Sequence, residues 1–167
     1  MNRAGGWLLC GLLALGGLGC SSADEPTGAE VVFGTALICL GDAAEPLSVE
    51  VASTETQRQR GLMGRDGLAP DTGMLFRYPD EATPKYGFWM FNVPFALEVA
   101  FISAAGEVVD IKKMAPCVGV PARECPPYQT PHPYQSALEV SPGVLRAHDV
   151  SPGSLVREAI NGVCDGD

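Results

Sequence analysis

The chain is of moderate length and clearly acidic. It has 167 residues, with 11 Lys and Arg against 20 Asp and Glu, which gives a formal net charge of −9. This length suits one domain behind a processed leader. The acidity and the absence of any Lys/Arg run argue against a nucleic acid or an anionic membrane surface as partner, because both bind clustered basic side chains.

The N-terminal segment has the order of a secretory signal peptide. A short basic start is followed by an apolar stretch from Trp7 to Leu18 and then by small residues around Cys20. A Cys directly after a small residue is typical of a bacterial lipoprotein cleavage site. We therefore expect a signal peptide over residues 1–19, lipidation of Cys20 and a linker over residues 20–29. The expected location is the bacterial cell envelope, lipid-anchored in the periplasm or at the outer membrane. A plain signal peptide cut nearby and a retained anchor are alternatives, although the stretch is short for a spanning helix.

The cysteines of the remaining chain predict disulfide bonds. Four stay after the leader, and an even number in an exported protein points to disulfides. Cys117 and Cys125 bracket a Pro-rich loop, so they are the natural local pair, and Cys39 is then left to join Cys164. Two other pairings of the four remain open. A metal or redox site is a weaker alternative, because the chain has no Cys-x-x-Cys spacing and only two His, so we expect no metal and no cofactor.

Residues 30–164 are predicted to form a single β-rich domain. Residues 97–102 alternate as in a strand with two distinct faces, and residues 103–106 form a turn to a hairpin partner. We expect a mostly β fold with a minor α part, a compact antiparallel barrel or sandwich with one short helix. The predicted strands are Val31–Leu40, Leu47–Ala52, Met74–Tyr78, Phe88–Val93, Leu97–Ile102, Val108–Met114, Ser136–Val140 and Leu155–Ile160.

The short helix is predicted directly after the second strand. Thr54 with Gln57 three residues later has the form of a capping box, and Gly64 is expected to stop the helix at about Met63. Residues 143–149 are expected to add a single helical turn. The Pro-rich stretch before residue 134 is expected to be a fixed irregular loop, because Pro cannot donate to a strand ladder.

Many ordered matches along the chain resemble one bacterial and archaeal family, domain of unknown function 192. The matching segments are Arg60–Met63 with Arg65 and Leu68, Gly73–Phe76, Phe88–Met90 with Asn92, Leu97–Ile102, Gly106, Val108, Ala115–Cys117, Cys125–Pro126 with Tyr128, Leu138–Glu139 and Ser151–Gly153. The resemblance covers about Leu47 to Val156. It implies a compact, mostly β domain with one short helix, often behind a signal peptide, and it implies no reaction.

Two positions depart from the family pattern. Phe91 and Val93 stand where the family commonly has Lys and Thr around Asn92. Ala96-Leu97-Glu98 stands where the family commonly has Pro-Leu-Asp. A site that needs that Lys or that shorter carboxylate is therefore not expected in this chain in the family's form.

Several polar side chains are candidate ligand contacts. Asn92 either binds a ligand or serves the turn before Pro94, and the turn is favoured. Glu98 interrupts an apolar strand face, so it either faces solvent or lines a cleft. Arg60 and Arg65 either hold an anionic ligand or form a salt bridge between helix and sheet, and the salt bridge is favoured.

The Pro-rich loop supplies a second set of candidates. Tyr128, His132 and Tyr134 lie in a segment braced by the predicted Cys117–Cys125 bond. Rigid aromatic loops suit sugars or extended peptides. The alternative is a loop that packs over a sheet edge and protects it from aggregation.

Catalytic motifs are absent from the sequence. Glu98 with Asp110 is the carboxylate pair that could do acid–base work, but nothing in the sequence sets their separation. The predicted function is non-catalytic binding of a small molecule, glycan or envelope protein by a monomer, over residues 92–98, the two arginines and the 128–134 loop. A hydrolase-like enzyme on cell-envelope material and a purely structural lipoprotein are the alternatives. A cleft with converging polar groups and a raised carboxyl pKa would favour the enzyme hypothesis. An open, flat aromatic face would favour the binding hypothesis.

Overall fold

Seven strands make up most of the fold. The structure is a computed structural model that describes residues 30–82 and 87–164, except the side chains of residues 81 and 82. The strands are β1 (Gly34–Leu40), β2 (Leu47–Ala52), β3 (Thr72–Ala82), β4 (Leu97–Ile102), β5 (Val108–Met114), β6 (Tyr134–Val140) and β7 (Val156–Glu158). They form one sheet in the order β5-β4-β6-β3-β2-β1-β7. The mostly β prediction is therefore confirmed.

One strand pair departs from the antiparallel prediction. Neighbouring strands are antiparallel throughout the sheet except β2 and β3, which run parallel with Val49 opposite Gly73. A parallel pair needs a crossover connection rather than a hairpin. Helix α1 (Glu55–Arg60) lies in that connection, so the predicted helix is also the crossover. A second short helix, α2 (Val144–Ala147), falls in the segment where one helical turn was expected.

The sheet separates two apolar clusters. In β4 every residue is buried, and alternate residues join different clusters: Val99 and Phe101 pack with Phe76 and Phe88, whereas Ile102 packs with Leu138. The predicted two faces of this strand are thus confirmed, and both are covered. A polar side chain on a central strand therefore enters an apolar environment on either face.

Helix α1 has the predicted start and an earlier end. The Gln57 N–H donates to the Thr54 side-chain oxygen at 3.2 Å, and the Thr54 N–H donates to the Gln57 side-chain oxygen at 2.9 Å, which is a complete capping box. The helix ends at Arg60, before the predicted Met63. The reason is Gly61, whose φ of 44° and ψ of −135° leave the helical region, a conformation that glycine adopts without a Cβ clash.

The prediction of a strand over Phe88–Val93 is wrong. This segment makes only isolated bridges, from Phe88 to Tyr128 and from Phe91 and Val93 to Cys117. The left-handed backbone of Asn92, with a φ of 55°, turns the chain, and Pro94 has no N–H for a ladder. The last strand is also shorter than predicted, at Val156–Glu158.

Both predicted disulfide bonds are present. Cys39 bonds to Cys164 with an S–S distance of 2.06 Å, and Cys117 bonds to Cys125 at 2.07 Å. The predicted signal peptide, the linker and Cys20 lie outside the described residues. Within the described part of the chain, none of the helices has the length and apolar character to cross a membrane.

Removing the long-range disulfide should destabilise the domain more than removing the local one. The Cys39–Cys164 bond spans 125 residues and the Cys117–Cys125 bond spans 8. The chain-entropy model gives about 4–5 kcal/mol for the first loop and about 2–3 kcal/mol for the second. Urea denaturation of the oxidised full chain, with Cys39→Ser/Cys164→Ser and Cys117→Ser/Cys125→Ser as the two variants, measures both. Free thiols at these positions in the wild type would contradict the pairing.

Candidate functional site

A narrow cleft lies on the face of the sheet that carries α1. Its cavity volume is about 30 Å³. We call it the Glu139 cleft, and its lining residues are Arg58–Met63, Phe76, Phe88, Trp89, Val93 and Glu139. The walls Leu62, Phe76, Phe88 and Val93 are buried, whereas Gln59, Arg60 and Trp89 at the mouth are exposed.

Close backbone contacts join the walls of the Glu139 cleft. The Gly64 N–H, just after α1, donates to the Asn92 carbonyl at 2.9 Å. The Asn92 N–H in turn donates to the Cys117 carbonyl at 2.9 Å. A Cβ on Gly61 would lie 3.3 Å from the Phe76 ring, so the chain leaving α1 runs directly along this aromatic wall. The cleft is thus held by the helix end, the 88–93 segment and the disulfide loop together.

Glu139 is a buried carboxyl at the centre of the sheet. It lies on β6 opposite Met74 of β3 and Val99 of β4, and both of these side chains are fully buried. Gly73 allows the two strands to approach closely, because a Cβ there would lie 2.7 Å from the Glu139 carbonyl oxygen. Only 4% of Glu139 is exposed. Its side chain therefore lies among apolar neighbours and lines the Glu139 cleft.

The Glu139 carboxyl has no hydrogen-bond partner within the described residues. Residues 30–82 and 87–164 supply no hydrogen bond and no ion pair to it, but its oxygens keep slight contact with solvent, since no fully buried side-chain polar atom of these residues lacks a partner. Burial raises the pKa of Glu139 to about 8, because the charged form is poorly solvated in this environment. At neutral pH the group is therefore mostly a neutral acid, with one O–H donor and a free acceptor oxygen. Buried groups of this kind are uncommon in structural positions and concentrate at functional sites.

Of the two arginines that line the Glu139 cleft, one is bonded within the protein and the other is exposed to solvent. Arg58 donates to the Ser53 and Arg77 carbonyls and lies 5.0 Å from the centroid of the Tyr78 ring. It is therefore committed to the fold. Arg60 is exposed at the mouth of the cleft, and it forms no ion pair with any described residue. Arg60 is thus the cation that a ligand could reach.

The other predicted helix-region candidates have structural partners. Arg65 makes a two-pronged ion pair with Glu50 and lies 5.5 Å from the Phe33 ring centroid, which is the favoured salt bridge between the helix region and the sheet. Asn92 is exposed and serves the turn through its left-handed backbone, as the favoured interpretation has it. The Tyr128 hydroxyl accepts a hydrogen bond from the Ala115 N–H at 2.9 Å, so it braces the loop.

The remaining loop candidates do not form one surface with Arg60. Tyr134 is completely buried, where it lies edge-on to Phe101 with ring centroids 5.0 Å apart, so it is a core residue and cannot contact a surface ligand. Burial also raises its pKa above the usual range. His132 is exposed, and its backbone N–H donates to the Thr130 hydroxyl at 3.3 Å. The predicted binding surface around residues 128–134 is therefore not assembled as expected.

Glu98 and Asp110 do not converge. Glu98 is buried on the opposite sheet face from Phe101, where it accepts a hydrogen bond from the Gly143 N–H at 3.1 Å. Asp110 pairs with Phe101 across β4 and β5 and therefore lies on the other face. Burial alone would raise the pKa of Asp110, but hydrogen bonds from Lys112, Thr130 and the Ile111 N–H outweigh it and lower this pKa. The two carboxylates cannot act on one substrate atom.

Two larger recesses in the described part of the chain lack an unpaired buried group. A recess of about 350 Å³ lies beside Glu98, with Lys113 and Arg146 in its lining, but the Glu98 carboxylate already has its backbone donor. A larger one of about 730 Å³ is lined by residues 41–45, 147–149, 153–155 and 157, none of which contributes a buried polar side chain. No group of three or more His, Cys, Asp or Glu in the described residues could hold a metal ion.

Sequence reasoning missed the two residues that define the Glu139 cleft. The sequence presents Glu139 only within a dipeptide that matches the family, and Trp89 only within an aromatic segment. A signal existed for the first, because Ala137-Leu138-Glu139-Val140 places one carboxylate in an otherwise apolar strand. What that pattern cannot supply is the second strand and the helix end that bury it.

Replacing Glu139 by Gln should remove a pH dependence of stability. The folded pKa of about 8 exceeds the usual 4.5, so between these values the folded state holds a proton that the unfolded state releases. Wild-type unfolding free energy should therefore fall as pH rises through this window, by up to about 1.4 kcal/mol per pH unit, and Glu139→Gln should lose that slope. Urea denaturation from pH 5 to 9 measures it. The exposed Glu107→Gln should keep the slope, and a Glu139→Gln slope equal to wild type would contradict the assignment.

Comparison with known proteins identifies relatives but no activity. The family model of DUF192, described as an uncharacterized ACR, matches residues 37–157. No curated protein matches the chain. A Sinorhizobium meliloti crystal structure, named as that of a proposed transcription regulator, is 30% identical, with a TM-score of 0.66 over 77% of this chain and 97% of that chain. A protein of unknown function from Novosphingobium aromaticivorans is 24% identical and shows the fold alone, with a TM-score of 0.60 over 80% of this chain and 89% of that one.

Proposed function

Because the chain belongs to the DUF192 family, whose description names no activity, we propose a function from the geometry of the Glu139 cleft. The domain binds a ligand by inserting one end group of that ligand into the cleft. The observation that carries this proposal is the Glu139 carboxyl, which is buried and receives no hydrogen bond from a described residue. A carboxyl that is poorly solvated and has no protein partner costs free energy in the unbound protein, and the slight solvent contact of its oxygens offsets only part of that cost. A ligand that supplies the missing partner recovers this free energy, so the cost favours binding.

Binding fits this cleft better than catalysis. A raised carboxyl pKa is also what a general acid needs, but acid catalysis requires a second group that acts on the same substrate. The other ionisable side chains of the lining are Arg58 and Arg60, and Arg58 is committed to backbone carbonyls and Tyr78. The pair named for the enzyme alternative, Glu98 and Asp110, lies on opposite faces of the sheet.

A ligand screen tests the proposed binding. We expect compounds from a set of envelope glycans, peptidoglycan fragments and common metabolites to raise the thermal midpoint of the full chain. A ligand at a hundred times its dissociation constant adds about 2.7 kcal/mol of stability. Glu139→Leu, which removes the polar group, should weaken such a hit at least tenfold. Glu98→Gln is the matched control, since this buried carboxylate lies on the other face and should not affect the hit. Binding that survives Glu139→Leu, or fails in Glu98→Gln, would place the site elsewhere.

We further propose that the domain is exported and held at the cell envelope by a lipid on Cys20. The order of basic, apolar and small residues before Cys20 supports this, and so do the two disulfide bonds, because disulfides persist in oxidising compartments. A monomer with a glycan, small molecule or envelope protein as partner fits that location. The name of the Sinorhizobium protein refers to transcription regulation, and we do not propose that role for this chain. A net charge of −9 without a Lys/Arg run disfavours binding to DNA.

Lipidation can be tested at a single residue with a control in the same leader. The full chain expressed in a bacterial host should fractionate with membranes, and mass analysis should find a lipid-modified Cys20 as the first residue. Cys20→Ala should abolish the modification. Cys10→Ala, which changes the other leader cysteine, should leave it intact. A mature protein that begins at another residue, or an unmodified Cys20, would contradict the anchor.

A further inference from the structure

We propose that the recess beside Glu98 binds a small zwitterion of the α-amino-acid type, with the ligand's ammonium group on Glu98 and its carboxylate on Lys113 and Arg146. This site is separate from the Glu139 cleft, because Glu98 and Glu139 lie on opposite faces of the sheet. Three observations carry the inference: a buried carboxylate with one unpaired oxygen, two unpaired cations at the same recess, and a cavity large enough for a small molecule.

The Glu98 carboxylate lines the recess and lacks a partner at one of its oxygens. Glu98 is only 7% exposed, and its Oε2 atom accepts the hydrogen bond from the Gly143 N–H. No described residue donates to its Oε1 atom. This oxygen keeps some contact with solvent, since no fully buried side-chain polar atom of the described residues lacks a partner. A carboxylate only accepts hydrogen bonds, so a ligand group that pairs with Oε1 must be a donor.

Two cations lie at the same recess. Lys113 on β5 is directly opposite Glu98 on β4, and this register places the two side chains on one face of the sheet with Cβ atoms roughly 5 Å apart. The Arg146 side chain folds back toward Gly143, where an added Cβ would lie 3.9 Å from the Arg146 Nη2 atom. Both cations are exposed, and neither forms an ion pair with a described residue. They can therefore bind an anionic group.

This arrangement of charges favours a ligand that carries both signs. A simple anion would pair with the two cations, but it would leave the Glu98 Oε1 atom without a donor and would add a second negative charge beside it. A simple cation would pair with Glu98 and be repelled by Lys113 and Arg146. An α-amino acid carries an ammonium group and a carboxylate on the same carbon, so one molecule supplies both partners. Hydrogen bonds between charged groups of this kind are stronger than neutral ones, and an arginine can bind a carboxylate through two parallel bonds.

The recess has room for such a molecule. Its cavity volume is about 350 Å³, which lies within the range of about 300–1,000 Å³ that small-molecule sites occupy. The rest of the lining has apolar side chains, from Ala96, Leu97, Met114 and Pro142. An aliphatic side chain of the ligand gains free energy by leaving water against this wall. An amino acid with an apolar side chain is therefore the appropriate probe.

The first experiment titrates the full chain with apolar amino acids by calorimetry. We expect at least one of alanine, valine, leucine and methionine to bind saturably. The tightest binder is then compared with three analogues, which lack the amino group, carry a hydroxyl in its place, or lack the carboxylate. Each analogue should bind at least tenfold more weakly, because it removes the charged partner of Glu98 or of the two cations. Binding of none of the four amino acids, or an analogue that binds as tightly as its parent, would overturn the proposal.

Variants test whether the amino acid binds in this recess. Lys113→Met, Arg146→Met and Glu98→Gln should each weaken binding at least tenfold. Lys112→Met is the matched control and should bind as wild type, since this lysine pairs with Asp110 at 2.8 Å and adjacent strand residues point to opposite faces. Unchanged affinity in Lys113→Met or Arg146→Met, or an equal loss in Lys112→Met, would overturn the site. Lys113 and Arg146 are exposed, so these variants decide the question even if Glu98→Gln does not fold.

The same approach separates this site from the Glu139 cleft. Amino-acid binding should persist in Glu139→Leu, whereas a compound that binds in the Glu139 cleft should persist in Glu98→Gln. Loss of amino-acid binding in a folded Glu139→Leu variant would overturn the assignment to the recess. If no amino acid binds while another compound binds through Glu139, this inference fails and the proposed function stands. If amino acids bind through Glu98 and no compound binds through Glu139, the inference stands and the proposed function fails.

Discussion

Burial of the central strands on both faces is the constraint on which the rest of this structure depends. All residues of β4 are buried, and the sheet divides the apolar side chains into a cluster on each side. A strand of this kind has no solvent-facing side for a charged residue. Each carboxyl group on it must therefore find a donor, lose its charge or remain an unpaired cost.

Glu98 and Glu139 resolve this constraint in different ways. Both are buried carboxyls on adjacent central strands, and they face opposite sides of the sheet. Glu98 accepts a hydrogen bond from the backbone N–H of Gly143, at the start of α2. Glu139 receives none from the described residues, and burial keeps it mostly neutral at physiological pH. Locally unsatisfied groups in an otherwise consistent fold are typical of functional sites, which is why the cleft is assigned to Glu139.

The Glu139 cleft depends on distant parts of the chain. Its mouth is formed by the end of α1 and by the irregular 88–93 segment, and that segment is held by backbone contacts to Cys117. The disulfide between Cys117 and Cys125 closes the loop that provides those contacts. An arrangement of this kind couples the rigidity of a binding wall to a covalent bond, because Cys117 of the disulfide pairs directly with Val93 of the cleft lining.

Local spacing was enough to predict most elements of this fold. The alternation of residues 97–102, the capping box at Thr54 and the local cysteine pair each depend on residues a few positions apart, and all three are present in the structure. The errors fell where long-range geometry decides. Phe88–Val93 has strand-like composition but turns at Asn92, and the parallel pairing of β2 with β3 follows from a crossover that no local pattern specifies.

The sequence by itself determined the class of fold, the local Cys117–Cys125 candidate pair and the acidic character of this protein. Tertiary structure decided which polar residues meet. It set Glu98 and Asp110 on opposite faces, buried Tyr134 in the core and brought Glu139, Trp89 and Arg60 into the lining of one cleft. The physical reason is that side-chain direction within a strand follows from neighbouring residues, whereas burial and hydrogen-bond partners come from strands and loops tens of residues away.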